Sequence, residues 1–117
     1  MELEDRIVRF AARCVKVCAA LPEKAVGSAS FADQLFRSST GIAANYAEAC
    51  EAESAKDFVH KLKIAMKELS ETRIWLKIIG EARYFENAKL SNLIDESREL
   101  SRILSASVTT TKKKIRG

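Results

Sequence analysis

Apolar positions recur at spacings of three and four residues in four stretches of the 117-residue chain, which is the period of a single helix face. In the first stretch Leu3, Ile7, Phe10, Cys14, Val17 and Leu21 form the stripe, and Val8, Ala11, Ala12, Val15 and Ala19 widen it, predicting a helix from about Leu3 to Ala20. LPEKAVGS (21–28) holds the only proline and an early glycine and reads as a connection. A second helix is predicted from about Phe31 to Ala52, with Ser28 or Ser30 as N-cap. A third runs from about Ala55 to Gly80, where Ser54 and Asp57 resemble a capping box with Asp in place of Glu or Gln. Its core face is Phe58, Leu62, Ala65, Leu69, Thr72, Leu76 and Ile79. EARYFENA (81–88) reads as a turn. A fourth helix, from about Lys89 to Ser107, turns Leu90, Leu93, Ile94, Leu100, Ile103 and Leu104 inward. No stretch alternates with period two. Four amphipathic helices on short connections predict an all-α, antiparallel up-down four-helix bundle. It spans residues 1–108 and is followed by a frayed, basic, flexible tail at 109–117.

Composition adds little to this picture, but charge changes it. The length suits one domain with one core. No apolar run approaches the roughly 20 residues of a membrane span. The N-terminal MELEDRIVRF has no apolar signal region, so a cytoplasmic protein is expected. The net charge is +4, and four bases, Lys112, Lys113, Lys114 and Arg116, lie in a tail without acids. The other 16 bases are matched by 16 acids, so the body is neutral overall. Net charge alone therefore argues weakly for nucleic-acid binding. Within the neutral body, Arg6, Arg9, Arg13 and Lys16 nonetheless form a stripe on the first helix. A stripe of this kind is usually a solvated face, but repeated around an oligomer it would neutralise phosphates in a strongly salt-dependent way. Trp75, Tyr46 and Tyr84 form no evident base-stacking platform, so sequence-specific readout has no support.

The second helix is unusual. Its centre, FRSSTGIAANYAEACE (36–51), holds Ser38, Ser39, Thr40 and Gly41, which are mediocre or poor helix formers, and Gly41 costs about 1 kcal/mol relative to Ala. Small residues here let helix backbones approach closely. Arg37 and Glu48 are three full turns apart on one face, with Asn45 one turn before Glu48. On the third helix Glu68 and Glu71 share a stripe with Asp57, His60, Ile64, Trp75 and Ile78, so they are partly shielded and need partners. Arg37, Lys63 or an arginine of another subunit could supply them. Arg37, Asn45, Glu48, Glu68 and Glu71 thus outline a polar seam, either an internal salt-bridge network or a binding surface.

QLFRSSTGIAANYAEA (34–49) resembles the signature of the small bacterial four-helix-bundle family named for proteins encoded in intervening sequences of 23S ribosomal RNA genes. Gln34, Leu35, Arg37, Ser38, Ser39, Ile42, Asn45, Ala47 and Glu48 carry the match, and the chain departs from it at Gly41, Tyr46 and Ala49. Lys56, Asp57, Phe58, Leu62, Ile64, Ala65, Glu71 and Leu76 also resemble the family, as do Pro22 and Gly27 in the connection. The resemblance implies a four-helix bundle that assembles as a homo-oligomer, a barrel-shaped pentamer. Relatives serve as accessory proteins of diversity-generating retroelements, where a basic surface binds nucleic acid and a reverse transcriptase. The expectation is a non-catalytic accessory protein binding RNA or DNA without strong sequence preference, through Arg6, Arg9, Arg13, Lys16, Lys112, Lys113, Lys114 and Arg116. The alternative is an oligomeric scaffold for a protein partner.

Catalytic chemistry finds little footing. Glu68-x-x-Glu71 with Glu48 and Glu51 superficially suggests a Mg²⁺ site for nucleotide hydrolysis, but such pairs are common on solvated helices and Lys63 and Lys67 can pair with them. A di-iron site needs Glu-x-x-His motifs, and the single His60 has Asp57 before it. Cys14, Cys18 and Cys50 show no CxxC and read as free, mostly buried thiols. A zinc site joining them to His60 would have to span about 16 Å of the first helix. No metal and no cofactor is expected.

Overall fold

The order of elements is α1 (Leu3–Ala20), α2 (Ser28–Cys50), α3 (Ala55–Glu81) and α4 (Asn87–Arg116). The structure is a computed structural model and describes residues 2–85 and 87–117. The helices pack as a four-helix bundle drawn out to 54 × 22 × 21 Å. Arg37 pairs with Glu71, and Glu48 with Lys61, so the chain reverses between α2 and α3. The predicted stripes meet along the axis: Ile7, Phe10 and Cys14 of α1, Leu35 and Ile42 of α2, Leu62, Leu69, Leu76 and Ile79 of α3, and Leu90, Leu93, Leu100 and Leu104 of α4.

Besides α2 stopping at Cys50, two residues short of the expected Ala52, four features differ from the sequence reading, each for a local reason. First, α2 begins at Ser28 and is capped by Gly27, which sits in the left-handed region at φ 79° and whose carbonyl accepts the Phe31 N–H at 2.9 Å. Ser28 is buried in the first turn instead of capping it. A Cβ on residue 27 would lie 3.2 Å from the Phe31 ring, so glycine suits both the angle and the space. Second, Val59 is buried on α3 where Phe58 was expected, and Phe58 is half-buried at the edge of the core. Third, α3 ends one residue later, and Arg83 takes φ 61° just past it, where glycine is the usual residue. The Ser54 cap is as expected, its hydroxyl accepting the Asp57 N–H at 3.1 Å.

The fourth difference is the largest. Asn87 and Ala88, expected in a turn, belong to α4, and Glu86 lies outside the described residues. At its other end α4 does not stop at Ser107 but continues to Arg116. The supposed frayed tail is therefore helical. Val108 is only 8% exposed and extends the apolar stripe by one more turn. Beyond it, Lys112, Ile115 and Arg116 line a groove together with Lys56 and Val59 of α3. One apolar position per turn, backed by the long first turns of α3, is enough to carry the helix through a run of lysines. The terminal positive charges also suit the negative end of the helix dipole.

Candidate nucleic-acid interface

Arginine leads on the α1–α4 side. Arg6, Arg9 and Arg13 line a groove of about 410 Å³, with Phe10 at its floor and Glu96 on its α4 wall. Arg6 is spent on that carboxylate, its Nε and Nη2 donating to Glu96 at 2.7 and 2.8 Å. The bond from Arg6 holds Glu96 below the usual carboxylate range, against the opposing effect of burial. Arg9, Arg13 and Lys16 have no carboxylate within ion-pair distance among the described residues. Arg9 and Lys16 are exposed, and Arg13 is half-buried. The groove is thus a cationic channel with one of its three arginines neutralised.

The five residues of the predicted seam divide among separate contacts on the α2–α3 side. Arg37 Nη2 donates to Glu71 Oε1 at 2.9 Å, which also accepts the Trp75 indole N–H at 3.3 Å. Lys61, not Arg37, pairs with Glu48, at 2.8 Å. Asn45 turns back to its own helix and donates to the Gly41 carbonyl at 2.8 Å. The close approach expected from the small residues is present: Ser38 and Ser39 are fully buried, and the Thr72 hydroxyl donates to Ser38 Oγ at 2.8 Å. Glu68 is the exception to good pairing. Its Oε2 is buried without a hydrogen-bond partner among the described residues, pressed against Gly41. Burial first, then the neighbouring Glu71, raises its pKa, with Arg37 opposing.

Lys63, one of the candidate partners for these glutamates, pairs with neither of them among the described residues. On its other flank α3 meets α4 through neutral acceptors. Arg73 donates to the Ser97 and Ser101 hydroxyls at 2.9 and 2.6 Å. Desolvation, followed by nearby Arg98, lowers its pKa. Lys112 is half-buried, while Lys113, Lys114 and Arg116 are exposed. Lys56 and Lys63 were not among the sequence candidates. The signal was their seven-residue spacing, two turns along one face, with no acid on that face between them.

The remaining chemistry is sparse. The carboxylates at positions 48, 68 and 71 are divided between Lys61, Arg37 and the Gly41 contact, and among the described residues no three His, Cys, Asp or Glu side chains gather as metal ligands. Cys14 is buried and its thiol is pushed up to about 12 by burial, but Cys18 is half-buried and Cys50 exposed, so the thiols are not mostly buried as expected. Trp75 and Tyr84 are both occupied by Phe31, at ring-centroid distances of 6.1 and 6.0 Å. The Tyr84 hydroxyl donates to the Val26 carbonyl, tying the two connections together. No helix among the described residues is long and apolar enough to cross a membrane.

Comparison with known proteins agrees with the fold and the motif. The family model of the 23S rRNA-intervening sequence protein matches residues 1–106. The chain belongs to this family. It is also similar to the crystal structure of a protein with unknown function from the S23 ribosomal protein family of Bacteroides thetaiotaomicron. The two are 31% identical, covering 92% of this chain and 98% of that one, with a TM-score of 0.82. No curated protein matches it. Among the described residues, this member of the intervening-sequence family pairs its motif residues Arg37 and Glu48 with α3 and sets its helix-one arginines along the α1–α4 groove.

Proposed function

We propose that this intervening-sequence protein is a non-catalytic accessory protein that binds RNA or DNA through the phosphate backbone, without strong sequence preference. The observation that carries the reading is the α1–α4 groove, where Arg9 and Arg13 stand without acid partners beside the single Arg6–Glu96 pair. Membership of a family named for ribosomal RNA supports a nucleic-acid partner. Trp75 and Tyr84 are occupied by packing against Phe31, which agrees with backbone contact in place of base stacking. Assembly as a homo-oligomer, a pentamer by the family resemblance, would repeat the groove and multiply its effect. In support, the outer face of α2 carries half-exposed Phe36 followed by Thr40, Ala44 and Ala47, uncharged small residues over three turns. That same surface favours the second reading, an oligomeric scaffold for a protein partner.

The test is an anisotropy titration of labelled RNA and DNA at roughly 50 and 200 mM salt, a range over which several phosphate contacts cost orders of magnitude in affinity, with light scattering on the same sample. Binding that collapses at the higher salt and is lost in Arg9→Glu/Arg13→Glu is the expected outcome. Absence of binding at the lower salt would leave the scaffold reading.

A further inference from the structure

The arginine groove between α1 and α4 carries an anion of its own. Glu96, on the α4 wall, is the one acid among the residues that line it. Its Oε2 and Oε1 accept from Arg6 Nε and Nη2 at 2.7 and 2.8 Å, the two parallel bonds of a bidentate pair. A backbone phosphate offers an arginine the same fork of two oxygens and the same single charge. Glu96 therefore stands where a phosphodiester would stand on Arg6. The side chains are 22% exposed for Glu96 and 34% for Arg6, so taking Arg6 away would leave a shielded carboxylate without a partner. Glu99, one turn along α4, adds its field to Arg6. Arg9 and Arg13 line the same groove and have no carboxylate within ion-pair distance among the described residues. The Arg6–Glu96 pair also fastens α1 to α4, so the bundle has a structural use for keeping it closed.

We propose that Glu96 is an internal phosphate mimic that withholds Arg6 from nucleic acid, so that the groove engages the backbone through Arg9 and Arg13 alone. The inference rests on the nucleic-acid reading above and concerns its regulation, assigning an autoinhibitory contact to an acid where that reading counts only cations. Moving Arg6 from Glu96 to a phosphate replaces one bidentate anion with another. It also leaves the freed carboxylate facing the incoming phosphate at short range, in a shielded place where like charges repel strongly. The exchange is therefore unfavourable, and Arg6 stays on Glu96 when the groove is occupied. Capping the number of phosphates neutralised limits both the affinity and its salt dependence. Removing the single charge of Glu96 lifts the cap, because Arg6 already lies in the groove.

The experiment titrates a labelled uridine oligonucleotide, across a salt series, with wild type, Glu96→Gln, Arg6→Gln/Glu96→Gln and Asp95→Asn. Glutamine keeps the side-chain shape and removes the charge. In Glu96→Gln the slope of log K against log salt is expected to steepen by about 0.7, one more contact to single-stranded phosphate. Binding at the lowest salt should tighten with it. The double variant, which lacks the released arginine, should return to the wild-type slope. Asp95→Asn makes the same change in net charge outside the groove, where Asp95 pairs with Arg98, and should keep the wild-type slope. A second reading uses wild type alone and does not depend on any variant folding. On adding the oligonucleotide, the side-chain Nε–H resonances of Arg9 and Arg13 should shift in the NMR spectrum while that of Arg6 stays in place. A wild-type slope in Glu96→Gln, an equal steepening in Asp95→Asn, or a shifted Arg6 resonance would overturn this inference and leave the proposed function standing. Failure of both wild type and Glu96→Gln to bind at the lowest salt would overturn both.

Discussion

The two flanks of α3 are built on opposite electrostatic plans. Toward α2 the helix presents Glu71, Lys61 and Glu68, and α2 answers with Arg37, Glu48 and the bare backbone of Gly41. Ser38 and Thr72 share a buried hydrogen bond at the centre of this contact. Toward α4 the same helix presents Lys56 and Arg73, and α4 answers with Lys112 and Arg116 beside the first and Ser97 and Ser101 beside the second. One flank balances its charges and closes tightly. The other gathers positive charge, and hydroxyls accept only from Arg73 among the described residues. Packing alone accounts for the first flank. It does not require the second.

The largest expected effect comes from breaking the tight flank. Ser38→Leu would add two heavy atoms to a fully buried site and remove the Thr72–Ser38 hydrogen bond, leaving the Thr72 hydroxyl only the Glu68 carbonyl. Overpacking of this kind costs about 1–3 kcal/mol, so a denaturation midpoint lowered by the upper part of that range is expected, with the α3–α4 flank unaffected. A midpoint equal to wild type would mean that α2 and α3 are not closely apposed at Ser38.

A smaller effect separates two glutamates with opposite shifts. Glu96 is held low by Arg6, so its contribution is present above the ordinary Glu range and is lost as pH falls through its depressed folded value. Glu68 is raised by burial, so stability is fullest below the ordinary Glu range and declines as pH rises through the raised value. Glu68→Gln should therefore stabilise the protein at neutral pH by roughly 1 kcal/mol, the low end for an unsatisfied buried polar group. Glu96→Gln should reduce the loss on the acid side by no more than about 1 kcal/mol, since the pair is partly solvated. Melting curves from acid to neutral pH would check both signs. Parallel curves for the two variants would remove the distinction.

The four-helix plan, the core faces and the tight α2–α3 approach were legible in the sequence because helical period and side-chain size fix them locally. Ser38 and Ser39 announced a close contact before any partner was known. Partner choice was less legible. Arg37, one of the partners offered, took Glu71, but Glu48 took Lys61 and Glu68 took none, and each outcome depends on the axial offset between helices, which periodicity does not encode. The length of α4 was missed for a related reason. Lysine runs look like tails, and the few positions that hold this one, Val108 and Ile115, are spaced too thinly to stand out without α3 beside them. The basic groove was invisible for the same cause, since half of it comes from α3 and half from α4.

The smallest effect is the sharpest probe of the seam. Gly41→Ala gains about 1 kcal/mol of helix propensity, but its Cβ would lie 3.0 Å from Glu68 Oε2 and push the carboxylate aside. The net change in wild type is expected within a few tenths of a kcal/mol of zero. In a Glu68→Ala background the same substitution should stabilise by most of the propensity gain, roughly 1 kcal/mol. Equal effects in both backgrounds would show that the two residues do not touch.

The bundle is also unevenly closed: each helix meets mainly its neighbour in sequence, and of the adjacent pairs α1 and α4 meet least. Its folding is therefore dominated by local hairpins, the arrangement that lets small helical proteins fold in microseconds to milliseconds. Docking α1 against α4 adds few contacts and belongs to the end of the process. In the native state the first turns of α1 should open more readily than the α2–α3 pair and exchange their amide hydrogens sooner. That weakly fastened side is the one lined by Arg6, Arg9 and Arg13. A polyanion laid across it would act as a clasp, and its arrival would register as slowed exchange in α1.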